Sequence, residues 1–309
     1  MPPFAYFKGQ YVPLAKAKVG VLTHALHYGT ACFEGIRGNW NKKDQQIYIF
    51  RGPEHYERLL NSAKVLKMNL PYSIDQLMKI GVETVRKSGY KDDVYLRPLA
   101  YKSSEVLGVR LHNLEDDYLC IVSDFGPYLD LDKGIRCCVS SWRRVDDNMI
   151  PTRAKITGIY VNSALAKTEA IDRGFDEAIM LRNDGYVSEG SGENLFIVSG
   201  GKLVTPASYD NILLGITRDT VIELAKKELG IETVERHVNR SELYLADECF
   251  MTGTAAHITP VLEIDHRKVG TGKPGKVTAQ LQKIYFDVER GMKKKYMHWC
   301  TPVFAKARA

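Results

Sequence analysis

The chain has 309 residues, 44% hydrophobic and 26% charged, enough to bury a sizeable core in one large domain or two modest ones. Its net charge is +6, but Lys and Arg are scattered, and the one dense run is Lys293, Lys294 and Lys295. Charge this diffuse suits anionic small molecules and argues against a nucleic-acid surface, which needs a stripe or patch.

No stretch approaches the roughly 18 apolar residues of a membrane span, and the N-terminus has no basic region ahead of an apolar core. Neither a membrane segment nor a secretion signal is expected. The six cysteines, Cys32, Cys120, Cys137, Cys138, Cys249 and Cys300, form no CxxC pair and no metal spacing. They read as small buried hydrophobes in a reducing cytosol, so a cytoplasmic protein without a metal site is expected. Adjacent Cys137 and Cys138 would point to opposite faces of a strand.

In chain order, IYIF (47–50) reads as a strand and 52–68 as a helix, with Tyr56, Leu59, Leu60, Ala63 and Leu66 at helical spacing. A second helix is expected over 73–89, with Ser73 as N-cap and Gly89 past its end. VYLRPLAY (94–101) and YLCIVSDF (118–125) read as strands, and the turn-rich GPYLDLDKG (126–134) as a linker. Strands within 175–206 are broken by hairpin turns at Asn183, Asp184 and Gly185 and at Gly200 and Gly201. A helix follows over 216–230, and 248–264 reads as strands around a Gly-Thr turn. Strands and helices in two blocks argue for an α+β protein, and the lack of regular βαβ alternation argues against a Rossmann domain.

Four short stretches could carry chemistry. In PTRAKITGIYVNSALAKTEAI (151–171), Lys155 sits four residues after Pro151, in small and apolar company, just ahead of a helical pattern. Taken alone, that is a solvated surface lysine. LGITRD (214–219) puts backbone amides and a hydroxyl at a helix start, which suits a phosphate. The plainer account makes Thr217 the N-cap and Asp219 a first-turn charge. MTGTAA (251–256) allows close backbone approach to a ligand, or is a tight turn. SEGSGENLF (188–196) offers Glu189 and Glu193 among small residues, with no histidine near enough for a metal. A lysine, a phosphate site and an isolated carboxylate together ask for a ligand with an aldehyde, a phosphate and a basic ring nitrogen. Pyridoxal 5′-phosphate (PLP) has all three.

Eight strings, in order and at matching spacing, resemble the branched-chain aminotransferases of the fold type IV PLP enzymes, the class IV aminotransferase family, over nearly the whole chain. They are HALHYGTACFEGIR (24–37), EHYERL (54–59), YLRPL (95–99), SSWRR (140–144), PTRAKITGIYVNS (151–163), SEGSGENLF (188–196), LGITRD (214–219) and LYLADECFMTGTAAHITPV (243–261). The resemblance implies a small N-terminal α/β domain at 1–125, an interdomain loop at 126–137 and a large PLP-binding domain at 138–309, with the cofactor at the domain interface. It implies that Lys155 is the catalytic lysine that bonds PLP and that Glu189 faces the pyridine nitrogen. Tyr160 would bond the cofactor O3′. Arg58, Ile216, Thr217 and Thr254 would hold the phosphate, Ile216 and Thr217 mainly through backbone amides.

For substrate, the resemblance implies Tyr28, Phe33, Tyr95, Arg97, Val109, Tyr128 and Ala255. Tyr95 and the Thr254–Ala255 amides would take the α-carboxylate, aromatic walls the aliphatic side chain, and Arg97 with Tyr28 the distal carboxylate of glutamate. Val109 would reach the site of a neighbouring subunit, so a homodimer or larger homo-oligomer is implied. The implied activity is transamination of L-leucine, L-isoleucine and L-valine with 2-oxoglutarate. Some features depart from the family. Ile159 stands where many relatives carry Asn, and the loop 102–117 differs while keeping Gly108 and Val109. A D-amino acid or (R)-amine transaminase, or an aminodeoxychorismate lyase, therefore stays open, as does a non-enzymatic phosphate-ligand binder. The last segment, 293–309, reads as an exposed extension.

Overall fold

The computed structural model describes residues 3–124, 129–131 and 133–305. The chain divides into two compact units, Met1–Gly126 with Ala154–Gly158 and Asp287–Ala309, and Pro127–Arg153 with Ile159–Phe286. The units do not follow chain order as the two sequence blocks did. The Lys155 stretch and the C-terminal segment, both expected in the second block, cluster with the first unit.

The first unit is an antiparallel sheet of β1 (Phe4–Phe7), β2 (Gln10–Pro13), β3 (Ala31–Phe33), β4 (Ile36–Asn41), β5 (Gln46–Phe50), β6 (Val94–Lys102), β7 (Asp116–Asp124) and a C-terminal strand, Cys300–Pro302. The order runs from Cys300–Pro302 through β5, β4, β6, β7 and β1 to β2, with β3 also on β6. Helices α1 (His24–Tyr28), α2 (Gly52–Val65) and α3 (Ile74–Ser88) belong to the same unit. α3 starts where expected because Ser73 and Gln76 form a reciprocal capping box, and Gly89 ends it at φ 71°. β6 and β7 pair from Val94 opposite Asp124 to Lys102 opposite Asp116. That long ladder fixes Tyr95 and Arg97 on one face.

The described part of the C-terminal segment, 293–305, is not an exposed extension. Tyr296, Trp299, Cys300 and Val303 are buried, Trp299 stacks on Tyr296 at 4.9 Å between centroids, and the Arg51 guanidinium lies 5.0 Å over the Trp299 ring. Behind the basic run at 293–295 come apolar and aromatic residues that complete the sheet on β5.

The second unit is a mixed sheet of β8 (Ile135–Val139), β9 (Glu177–Leu181), β10 (Val187–Gly190), β11 (Asn194–Ser199), β12 (Lys202–Thr205), β13 (Thr233–Glu235), β14 (Glu248–Gly253), β15 (His257–Ile264) and β16 (Arg267–Lys268). The order is β10, β9, β8, β15, β14, β11, β12, β13, with β16 on β15. β8 runs parallel to β9 and β15, and β12 parallel to β13. Helices α4 (Tyr160–Asp172), α5 (Ile216–Leu229) and α6 (Glu242–Leu245) interleave with these strands, and α7 (Lys276–Glu289) follows them. Both expected hairpins form, joining β9 to β10 and β11 to β12. β8 begins at Ile135, inside the expected linker. Cys137 packs with Ile179, Leu195 and Met251, whereas Cys138 packs with Ala166, Phe175 and Met180, so the two thiols do face opposite sides. All six cysteines are buried and none is in a disulfide. Among the described residues, no helix is long and apolar enough to cross a membrane. The architecture is α+β.

Candidate active site

The short stretch 154–158 explains the odd surroundings of Lys155. Its amide donates to Ser62 Oγ at 3.0 Å, its carbonyl accepts from the Phe33 amide at 3.0 Å, and Ile156 bridges Cys32. Ala154 and Ile156 are buried and anchor the stretch against β3 and α2. The half-buried lysine side chain then places Nζ 5.1 Å from the Phe33 ring centroid, a cation–π contact. Lys155 is not a solvated surface residue.

Below it lies a buried charge cluster. Arg58 Nε and Nη2 donate to the two Glu34 oxygens at 2.7 and 2.8 Å, and His55 Nδ1 sits 2.6 Å from Glu34 Oε2. Burial alone would raise the Glu34 carboxyl, but the charge and hydrogen bonds of Arg58, then His55, hold it well below the usual carboxylate range. Burial lowers the pKa of His55; Glu34 opposes the shift, while Arg58 and Lys155 add to it. Ser62 Oγ donates to the Arg58 carbonyl at 2.8 Å, so one side chain ties Arg58 to the Lys155 backbone.

The same unit gathers most of the expected substrate residues. The Arg97 guanidinium lies 4.5 Å over the Phe33 ring and 5.3 Å over the Tyr95 ring, and its Nη2 donates to the Tyr95 hydroxyl at 3.3 Å. Gly35 must be glycine: a Cβ there would stand 1.8 Å from the Tyr95 hydroxyl oxygen. The Tyr28 hydroxyl accepts from the Gly108 amide at 3.0 Å, and His24 Nε2 lies 2.8 Å from the Gly108 carbonyl. Those contacts fix the loop that leaves Val109 91% exposed.

The second unit holds the expected carboxylate. Glu189, on β10, is 4% exposed; Arg144 Nη2 lies 2.9 Å from its Oε1, while Asn194 Nδ2 and the Leu213 amide donate to its Oε2 at 3.0 and 3.1 Å. Asn194 also donates to the Leu213 carbonyl at 2.8 Å, and a Cβ on Gly215 would stand 2.0 Å from Asn194 Oδ1. One asparagine therefore sets both the carboxylate and the entry to α5. That helix starts at Ile216 with Gly215 as N-cap, so Thr217 is inside the first turn and is not the cap. Gly215 has no side chain to accept from the first amides, the arrangement that anions exploit. Tyr160 opens α4, and Thr254 and Ala255 form the turn between β14 and β15. Tyr128 lies outside the described residues.

The model of the amino-transferase class IV family matches residues 31–264, most of the chain. This chain is a class IV aminotransferase. It is 54% identical to a probable branched-chain-amino-acid aminotransferase of Aquifex aeolicus, over 98% of this chain and 97% of that protein. It is 43% identical to the branched-chain-amino-acid aminotransferase of Escherichia coli K12, over 97% of each. A crystal structure of the Thermoproteus uzoniensis branched-chain aminotransferase with norvaline is similar at TM-score 0.94 and 46% identity, covering 98% of this chain and 99% of that one. The PLP form of the Thermobaculum terrenum enzyme is similar at TM-score 0.94 and 38% identity, with the same coverage.

The donor sets of this class IV aminotransferase fit its cofactor. PLP needs a lysine for its aldehyde, a carboxylate for its ring nitrogen and amides or guanidinium for its phosphate. Lys155 offers an amine, the buried Glu189 a carboxylate and the start of α5, whose N-cap Gly215 makes no side-chain hydrogen bond, first-turn amides, so groups of each chemistry are present. Arg144, Glu34, His55 and Asn194 lie within the quoted strings, yet the strings alone give them no role. A buried arginine or glutamate demands an opposite charge, but spacing alone does not say which one.

Proposed function

We propose that this chain transfers the amino group of L-leucine, L-isoleucine or L-valine to 2-oxoglutarate, giving a branched-chain 2-oxo acid and L-glutamate. The observation that carries the reading is Arg97, whose guanidinium lies against the faces of Phe33 and Tyr95. Its Nε is buried with no hydrogen-bond partner among the described residues. Aromatic walls suit an aliphatic side chain, and a guanidinium suits the distal carboxylate of glutamate. The names of the relatives agree, and another branched-chain amino acid aminotransferase, 44% identical at TM-score 0.93, is solved with N-(5′-phosphopyridoxyl)-L-glutamate.

PLP, when bound, supplies a protonated pyridine ring that takes up the electron pair left on the substrate Cα. Lys155 Nζ would hold the cofactor through its aldehyde and, as a free amine, would carry the proton to and from the substrate Cα. Glu189 would keep the ring nitrogen protonated, and Arg144 and Asn194 hold Glu189 in place. Tyr160 would donate to the cofactor O3′. Arg58, Thr254 and the Ile216 and Thr217 amides would take the phosphate. Tyr95 and the Thr254 and Ala255 amides would orient the α-carboxylate, and Tyr28 and Phe33, with Tyr128 as the resemblance implies, would line the side-chain pocket. Val109, on its exposed loop, reaches a second copy of the chain in a homodimer or larger assembly. A cytoplasmic location accompanies the reading, since six buried thiols suit a reducing compartment.

Half-reaction kinetics of the holoenzyme with L-leucine, D-alanine and (R)-1-phenylethylamine test it. L-Leucine is expected to react with kcat/KM at least roughly 10²-fold above the other two, equivalent to about 2.7 kcal/mol of barrier. Preference for D-alanine or the amine would replace the substrate assignment.

A further inference from the structure

Glu193 has no part in the roles above, yet it is 4% exposed and sits on the tight connection between Glu189 and Asn194. The Gly190 amide donates to the Glu193 carbonyl at 2.7 Å, and the Gly192 amide donates to Glu193 Oε2 at 3.1 Å. A Cβ on Gly190 would stand 2.8 Å from Glu193 Oε2, so the carboxyl is folded back over its own turn. The sheet register between β9 and β10 shifts over 187–190, so ladder pairing does not hold this turn by itself.

A second buried carboxyl lies on β9. Glu177 is 0% exposed, with Lys167 Nζ 2.7 Å from Oε2 and the Ala178 amide 2.7 Å from Oε1. Lys167 compensates one negative charge, and Glu177 has it.

We propose that Glu193 is a positioning residue whose carboxyl, folded back over the turn at 190–193, locks that turn and so holds Asn194 against Glu189. The inference rests on the PLP reading of Glu189. The charged and titratable groups that act electrostatically on Glu193 are Glu177 on β9, Glu189 on β10 and Lys167 on α4, and Glu193 in turn acts on Cys137 on β8. Burial first, then the charge of Glu177, pushes the Glu193 carboxyl up to about 8, with Glu189 adding and the Gly192 amide and Lys167 opposing. Cys137 is held as a neutral thiol by its own burial. Ionisation of Glu193 would set a second negative charge beside Glu177 and loosen the turn.

The test compares PLP-loaded wild type with Glu193→Gln, which imitates the neutral acid. The folded wild type holds a proton that the unfolded chain releases near pH 4.5, so its stability falls as pH rises from there to about 8 and then levels. The Gln variant has no such proton. Its Tm advantage is expected to grow by at least about 3 °C between pH 5 and pH 8.5. Its kcat/KM for L-leucine should stay within about threefold of wild type at pH 7, while wild type falls at least about threefold below it by pH 9.5. Parallel Tm curves, or superimposable activity profiles, would overturn the assignment. The Tm gap does not depend on turnover. A chain that opens the gap yet never converts leucine would refute the branched-chain substrate reading and leave the titration of Glu193 standing.

Discussion

Arg144 Nη2 lies 2.9 Å from Glu189 Oε1, and both side chains are nearly sealed from water, at 6% and 5% exposure. Removing one member of such a pair leaves a buried charge uncompensated. Arg144→Met is expected to cost about 3–5 kcal/mol in urea unfolding, and adding Glu189→Gln should restore part of that without restoring turnover. A cost below about 1 kcal/mol would mean that Asn194 and the Leu213 amide satisfy the carboxylate unaided.

Lys155 is tied to the first unit by its backbone, through Ser62 and Phe33, so its side chain can be removed without loosening the stretch. Lys155→Ala should keep the circular dichroism spectrum and Tm of the wild type while abolishing leucine turnover. Residual activity above about a tenth would be incompatible with its roles, since losing both covalent attachment and the base costs several kcal/mol of barrier.

Arg97 separates the two substrates. Its guanidinium can pair with glutamate but never with leucine, so Arg97→Leu should slow the half-reaction with L-glutamate or 2-oxoglutarate by roughly 10²-fold, about 2.7 kcal/mol. The leucine half-reaction should change less than about tenfold. Equal losses would assign Arg97 to supporting the Phe33 and Tyr95 rings instead.

The cluster under Lys155 predicts acid sensitivity. Burial holds His55 below its ordinary value of 6.5, so on acidification the unfolded chain gains that proton before the folded one does. Stability should therefore decline as pH drops below about 6.5, and more steeply below about 4.5, where an unfolded Glu34 also protonates. His55→Gln removes the first slope, whatever it does to stability at pH 7. An unchanged slope between pH 6.5 and 5 would show that another group carries the proton.

Much of this protein was legible as sequence because local rules decide it. Ser73 and Gly89 bracket α3 through capping chemistry that needs nothing beyond its neighbours, and Asn183, Asp184 and Gly185 turn a hairpin for the same reason. The family motifs also singled out Lys155 and Glu189 as the residues expected to meet PLP. Their partners were not legible. Arg144 stands 45 residues before Glu189, and Glu34 stands 24 before Arg58, separations set by sheet topology rather than by any helical or strand period.

The C-terminal segment shows the same limit in reverse. Its lysines made 293–309 look solvated, yet Trp299 and Val303 are buried because β5 offers an edge for Cys300–Pro302. By itself, the sequence determined which local elements form and which reactive side chains stand beside glycines and small residues. Only the tertiary structure decided which buried charges meet, because desolvation must be offset by an opposite charge or hydrogen bond in space, and that partner can come from anywhere along the chain.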